Sequence, residues 1–72
     1  MMEYTIKKET HYKGEGYNFC TAKITYKQLK LNITYDYEID NLIIHEWYKI
    51  QNRTELTDLI EQLKKYFKNK TE

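Results

Sequence analysis

The chain lacks several residue types on which particular structures and chemistries depend. Its 72 residues include no proline, no serine and no valine, and only two glycines and one cysteine. A single cysteine cannot form an intramolecular disulfide, and Cys20, His11 and His45 do not have the spacing of a zinc site. Without serine there is no serine nucleophile, and a water-excluding cleft is hard to build in so short a chain. We therefore expect no enzymatic activity, no cofactor, no metal and no small-molecule substrate.

Long apolar segments are missing as well. The longest run, Leu42 to Ile44, is far shorter than the roughly 20 residues of a membrane-spanning helix. The first ten residues carry four charges and no apolar stretch, which is unlike a secretion signal. These absences predict no membrane partner and a cytoplasmic location, where a lone thiol stays reduced.

A chain of this length is expected to form one domain, residues 1–72, with a small core. Folding at this size buries only about 60% of the extended chain's surface, and small domains are usually reinforced by disulfides, a metal or a partner subunit. Since neither a disulfide nor a metal is expected here, we expect the chain to form a homodimer. The abundant lysine, isoleucine, asparagine and tyrosine have A/T-rich codons, a composition typical of small phage, virus and plasmid proteins. Residues 68–72 are expected to be a frayed polar tail.

The clearest element lies between Asn52 and Lys68. Its apolar residues recur at helical spacing and form one stripe: Leu56, Leu59, Ile60, Leu63, Tyr66 and Phe67. Asn52 followed three residues later by Glu55 resembles a capping box. Acidic residues early and lysines late in the segment suit the helix dipole. The pattern predicts an amphipathic C-terminal helix.

Upstream of this helix, apolar and polar residues alternate with the period of half-buried strands. Apolar side chains occupy every second position from Cys20 to Tyr26 and from Leu29 to Ile39. A slip of one residue would turn every side chain to the opposite face, so the alternation tests each candidate turn. We place two-residue turns at Lys27-Gln28 and Asp40-Asn41, and a three-residue bulged loop at residues 14–16.

These turns bring apolar residues of neighbouring strands opposite one another. The expected pairs are Tyr4 with Tyr26, Ile6 with Ile24, Ile24 with Leu31, Tyr26 with Leu29, Ala22 with Ile33, Cys20 with Tyr35, Ile39 with Leu42, Tyr37 with Ile44, Ile33 with Tyr48 and Leu31 with Ile50. Only Tyr35 opposite Glu46 breaks the match. The fold class predicted is α+β, a four-stranded antiparallel β-meander followed by one C-terminal amphipathic helix packed on one sheet face (ββββα). For residues 41–50 a helix is the alternative.

The same register assigns outward side chains to rows across the sheet. The rows are Lys7, Lys23, Asn32 and Lys49; Glu9, Thr21, Thr34 and Trp47; His11, Phe19, Asp36 and His45; and Tyr17, Glu38 and Ile43. Several large apolar groups on a face expected to be solvated need a reason. The pair Asp36 and His45 is read as an ordinary cross-strand ion pair, and inward-facing Cys20 as a small buried hydrophobe.

A protein contact is the preferred interpretation of this face, because aromatic residues are enriched at interface cores. The chain would then be a small regulatory or inhibitory protein that binds a partner or itself. The residues expected to bind the partner are Tyr17, Phe19, Ile43 and Trp47, flanked by Lys23 and Lys49.

Single-stranded nucleic acid is the alternative partner, since aromatic side chains stack on bases while lysines follow the phosphates. The residues expected to do so are Lys7, Lys23, Lys30, Lys49 and Trp47. Against it, Asp36 and Glu38 share the face, and the only arginine of the chain is Arg53. A solvated face without a partner is the third interpretation.

Overall fold

The fold consists of one antiparallel sheet followed by one helix, as seen in a computed structural model that describes residues 3–70. The sheet has four strands in the order β1-β2-β3-β4. Its elements are β1 (Tyr4–Gly14), β2 (Tyr17–Tyr26), β3 (Leu29–Asp36), β4 (Asn41–Ile44), a 3-10 helix (Trp47–Lys49) and α1 (Arg53–Lys70). The predicted α+β class and the ββββα order are therefore confirmed.

The hairpin of β2 and β3 has the predicted register. Lys27 and Gln28 form its turn, with φ angles of 49° and 70°. Positive φ at both central residues is the condition for a type I′ turn, whose twist matches that of the flanking strands. Tyr26 therefore pairs with Leu29, and the pairing continues without interruption to Phe19 and Asp36.

The β1–β2 hairpin differs from the prediction in where its extra residue lies. Glu15 and Gly16 form a two-residue turn, and the bulge lies inside β1 between Lys7 and Thr10, where Lys8 has a φ of 56°. The predicted pairing of Tyr4 with Tyr26 holds because the insertion comes after it. One inserted residue exchanges the two faces of a strand. Beyond the bulge, the register of this hairpin was therefore predicted wrongly.

The bulge moves two side chains away from their predicted rows. His11 now pairs with buried Cys20, and Glu9 contacts the helix, so both lie on the helix side of the sheet. Tyr12 takes the outward position opposite Phe19. The rows predicted to contain Glu9 and His11 are thus wrong.

The predicted register of β4 is wrong by four residues. β3 ends at Asp36, which pairs with Asn41, and residues 37–40 form the turn. The Asp36 carboxylate accepts a hydrogen bond from the Glu38 amide at 2.9 Å, which begins the turn early. An even shift leaves the facing of Leu42 and Ile44 unchanged. Ile39, however, is 68% exposed instead of paired.

After β4 the chain leaves the sheet, so residues 45–50 are not a strand. The His45 amide still donates to the Asn32 carbonyl at 2.8 Å. The Glu46 carboxylate then accepts from the Asn32 amide and side chain, each at 2.6 Å, in place of a strand backbone. Trp47 to Lys49 form a 3-10 helix, and Tyr48 is 64% exposed rather than opposite Ile33.

The helix covers one face of the sheet and closes the core. Asn52 caps it, accepting a hydrogen bond from the Glu55 amide at 3.0 Å. Leu59, Leu63 and Phe67 are fully buried, and the other three residues of the predicted stripe pack half-buried beside them. The buried core contains Cys20, Ala22, Ile24, Tyr26, Leu31, Ile33, Tyr35, Leu42, Ile44, Ile50, Leu59, Leu63 and Phe67.

Ion pairs join both ends of the helix to the sheet: Glu55 near its start is paired with Lys27, and Lys70 at its end is paired with Glu9. Glu9 accepts from Lys70 Nζ at 2.6 Å and from the Tyr66 hydroxyl at 2.8 Å. Burial opposes the charged form of Glu9, but these two bonds outweigh it and lower the pKa of its carboxyl. The helix therefore includes residues 68–70 of the expected tail, and residues 71 and 72 lie outside the described part. Within residues 3–70, no helix is long and apolar enough to cross a membrane.

Candidate functional site

The face of the sheet opposite the helix, here called the outer face, is the candidate site. The register arranges its side chains in cross-strand rows. They are Thr5, Thr25 and Lys30; Lys7, Lys23 and Asn32; Thr10, Thr21, Thr34 and Ile43; and Tyr12, Phe19, Asp36 and Asn41, with Tyr17 beyond. Neighbouring rows are two residues, about 6.6 Å, apart along a strand. Basic, hydroxyl and aromatic side chains thus follow one another along the face.

An aromatic cluster, defined by Tyr12, Tyr17 and Phe19, lies at one end of the outer face. The rings of Tyr12 and Phe19 are stacked, with centroids 4.9 Å apart and 21° between their planes. The ring of Tyr17 lies 6.0 Å from that of Phe19 and directly over Gly14, where a β-carbon would collide with it. Tyr12 and Tyr17 remain 45% and 48% exposed. The cluster is a packed but accessible aromatic surface.

A lysine cluster, defined by Lys7, Lys8, Lys23 and Lys30, lies toward the other end of the same face. Lys7 is directly opposite Lys23, and Lys30 is diagonal to Lys23 on β3. Within residues 3–70, none of the four forms an ion pair. Like charges directly opposite each other destabilise a sheet. The cluster is therefore a concentration of positive charge without an ion pair in the described chain.

Two adjoining grooves run between the lysines. The first, of about 360 Å³, contains all four residues of the lysine cluster and Asn32 in its lining. The second, of about 200 Å³, continues from Lys8 and Lys23 to Thr21, Thr34 and His45. Among residues 3–70, no acidic side chain lines either groove. Asn32, which lines both grooves, donates hydrogen bonds to the Glu46 carboxylate from its backbone amide and its side chain. The bond from the backbone amide is the largest cause of the lowered pKa of that carboxyl.

The threonine row, defined by Thr10, Thr21 and Thr34, separates the lysines from the aromatic residues. The three lie directly opposite one another on β1, β2 and β3. Thr34 Oγ1 is 2.8 Å from His45 Nε2. Within residues 3–70, the hydroxyls of Thr10 and Thr21 have no hydrogen-bond partner. These two hydroxyls are therefore available as donors and acceptors to a molecule bound on this face.

The structure places most of the predicted binding residues on the outer face, but not all of them. Those on it are Lys7, Tyr17, Phe19, Lys23, Lys30 and Ile43. Trp47 and Lys49 lie beyond β4 in the 3-10 helix, outside the rows, and Trp47 is 57% exposed there. Asp36 faces Asn41 and not His45, so the predicted ion pair is absent from the register.

Three contributors to the outer face were missed from the sequence: Lys8, Thr10 and Tyr12. All three follow from the bulge. The signal that could have revealed it is the Glu15-Gly16 pair, since a glycine at the second position suits a two-residue hairpin turn. A tighter turn with Tyr4 still opposite Tyr26 requires one extra residue within β1.

The helix side has a cleft of about 550 Å³ at the end of α1, lined by residues that include His11, Cys20 and Tyr37. His11 Nε2 is 2.6 Å from Asn18 Oδ1, and its ring lies 5.1 Å from that of Tyr37. Burial raises the pKa of the Cys20 thiol, which disfavours the reactive thiolate. Among the described residues, no group of three His, Cys, Asp or Glu could hold a metal ion. The cleft therefore offers no activated nucleophile.

Compared with known protein families, curated proteins and solved structures, the chain matches none of them. Function has to be inferred from the surface chemistry of the outer face.

Proposed function

We propose that this ββββα domain acts by binding rather than catalysis, and that its outer face binds single-stranded nucleic acid. The observation that carries the proposal is the presence, on one face of one sheet, of an exposed aromatic cluster and of a lysine cluster without an ion pair in the described chain. Aromatic rings stack on bases of any sequence, and lysines attract the phosphate backbone. The helix packs on the other face, and no helix or strand within residues 3–70 covers the outer face.

The bulge in β1 strengthens this proposal relative to a protein contact. The bulge takes the Glu9 carboxylate off the outer face and places the ring of Tyr12 on it. The early end of β4 removes Trp47 and Lys49, which were expected to contribute to either kind of partner contact, so this second correction favours neither candidate. Asp36 stays on the outer face, where its carboxylate accepts a hydrogen bond from the Glu38 backbone amide. The strand rows of the resulting surface contain Asp36 as their carboxylate, where Glu9, Asp36 and Glu38 were expected, and their aromatic rings are those of Tyr12, Tyr17 and Phe19.

A protein partner, including a second copy of this chain, is the second candidate. It is favoured by the apolar end of the outer face, where Tyr12, Tyr17 and Ile43 are each close to half exposed. Such a partner would contact the aromatic cluster and leave the lysines at the rim of the interface. Charges at the rim affect the association rate more than the affinity.

The test is fluorescence anisotropy with a labelled single-stranded oligonucleotide of about twelve nucleotides, in a salt series. If all four lysines contact phosphates, the slope of log affinity against log salt is about −2.8, and affinity falls about 50-fold between roughly 50 and 200 mM salt. Tyr12→Thr keeps strand propensity but removes a stacking ring. We expect it to weaken binding about 5- to 150-fold, from about 1–3 kcal/mol per stacked base.

The matched control is Tyr48→Thr, which removes an exposed ring from the 3-10 helix and should leave binding unchanged. Equal losses in both variants would place the site elsewhere. No binding by the unaltered chain would refute the proposal. In that case sedimentation over a range of protein concentrations decides on the second candidate, because self-association lost in Tyr12→Thr would assign the outer face to a protein contact.

A further inference from the structure

The outer face presents its side chains in the order in which a nucleotide presents its parts. Along β2 the outward residues are Lys23, then Thr21, then Phe19, at steps of two residues. They carry a cation, a hydroxyl and an aromatic ring, and the steps are about 6.6 Å each. A nucleotide runs from phosphate through sugar to base in the same order. The sugar of a strand bound across the sheet would therefore lie over the threonine row.

We infer that the bound strand is RNA and that the threonine row recognises its 2′-hydroxyl groups. This inference rests on the proposed function. The 2′-hydroxyl both donates and accepts hydrogen bonds, and it distinguishes RNA from DNA at a protein site. Thr10 and Thr21 offer hydroxyls of the same dual character without an internal partner among residues 3–70. Thr34 extends the row to β3 and brings His45 beside it.

Charge complementarity supports a polyanion as the occupant of this face. Lys7 and Lys23 are directly opposite each other without a counter-ion in the described chain, and a phosphate between them would relieve their repulsion. The second groove connects Lys8 and Lys23 to Thr21 and Thr34. Phosphate contacts and sugar contacts therefore lie within one continuous depression. DNA would make the phosphate and stacking contacts alone.

The experiment compares two oligonucleotides of one sequence, an RNA and its 2′-deoxy form with uracil retained, so that only the 2′-hydroxyl differs. We expect the unaltered chain to bind the RNA about 2- to 12-fold more tightly, the effect of one net hydrogen bond. Thr10→Val with Thr21→Val removes the two unpartnered hydroxyls of the threonine row and retains β-branched side chains. This double variant should bind both oligonucleotides with the affinity that the unaltered chain has for the deoxy form.

The matched control is Thr5→Val with Thr25→Val. These threonines are also directly opposite each other on the outer face, but they lie in the row of Lys30, on the side of Lys7 and Lys23 away from the threonine row. This control should retain the full preference for RNA. Thermal unfolding by circular dichroism confirms that each variant is folded. If the double variant is not, the single variant at exposed Thr10 replaces it.

The possible results of this experiment distinguish the inference about RNA from the proposed function. Equal, salt-dependent binding of both oligonucleotides overturns the inference and leaves the proposed function standing. A preference for RNA that survives loss of the Thr10 and Thr21 hydroxyls also overturns it. Binding of neither oligonucleotide overturns the proposed function itself.

Discussion

Lys23→Gln should make the domain more stable while weakening its binding to nucleic acid. Lys23 lies directly opposite Lys7 on the outer face, and neither forms an ion pair within residues 3–70. Removing one of two facing charges relieves repulsion in the free protein. The same change removes a phosphate contact from the complex. The two effects have opposite signs because this charge pair is unfavourable until an anion is present.

The magnitudes follow from the geometry of the pair. Side chains directly opposite each other on antiparallel strands interact by about 0.2–1 kcal/mol. For a domain of this size that corresponds to a rise of about 1–8 °C in Tm. One phosphate contact fewer reduces the salt slope of binding by about 0.7, which lowers the affinity about eightfold near 50 mM salt. Because salt screens the repulsion, the gain in stability should shrink toward 1 M salt.

The assays are thermal unfolding by circular dichroism and oligonucleotide anisotropy, each at low and high salt. Lys27→Gln is the control, because Lys27 is ion-paired with Glu55 at the base of the helix. That variant should be no more stable than the unaltered chain and should keep its salt slope. A Lys23→Gln protein less stable than the unaltered chain would refute the repulsion. An unchanged salt slope would refute the phosphate contact.

Two further predictions concern the turns. Gln28→Gly should raise the free energy of unfolding in urea by about 0.5–1 kcal/mol. Gln28 has a φ of 70°, a backbone conformation that is strained for residues with a β-carbon but not for glycine. A loss of stability would contradict this. Asp40 should contribute to acid sensitivity, because hydrogen bonds from Tyr35 and Lys68 lower the pKa of its carboxyl. That stabilisation is complete above the unfolded pKa of about 3.9 and disappears as pH falls through the lower folded value. Stability measured from pH 6 downward should therefore fall more steeply in the unaltered chain than in Asp40→Asn, and parallel curves would contradict this.

The β2–β3 hairpin and the helix could be predicted from the sequence because local patterns specify them. Uninterrupted alternation on both sides of Lys27-Gln28 excludes a slip of one residue, which would expose the core, and the two-residue turn selects the register among those that remain. The helix has an apolar stripe at one spacing and Asn52 as its cap, and both were confirmed. These elements place Phe19, Lys23 and Lys30 on the outer face.

The bulge in β1 could not be read from alternation, because residues 7–13 are almost entirely polar and mark no inner face. Glu9 turns inward to bind Tyr66 and Lys70, which follow it by 57 and 61 residues. That distant contact is compatible only with the flipped strand, and the flip brings Tyr12 to the aromatic cluster.

The early end of β4 has the same kind of cause. A shift of four residues preserves the alternation of Leu42, Ile43 and Ile44, so both registers fit the pattern equally well. The choice depends on side chains that meet only in the folded chain. The Tyr35 hydroxyl donates a hydrogen bond to the Asp40 carboxylate at 2.6 Å. The Glu46 carboxylate accepts one from the Asn32 backbone amide, where a longer β4 would have paired. Short-range periodicity therefore determined most of the core, although Ile39 and Tyr48 follow the pattern and are exposed. Long-range polar contacts decided which side chains share the outer face.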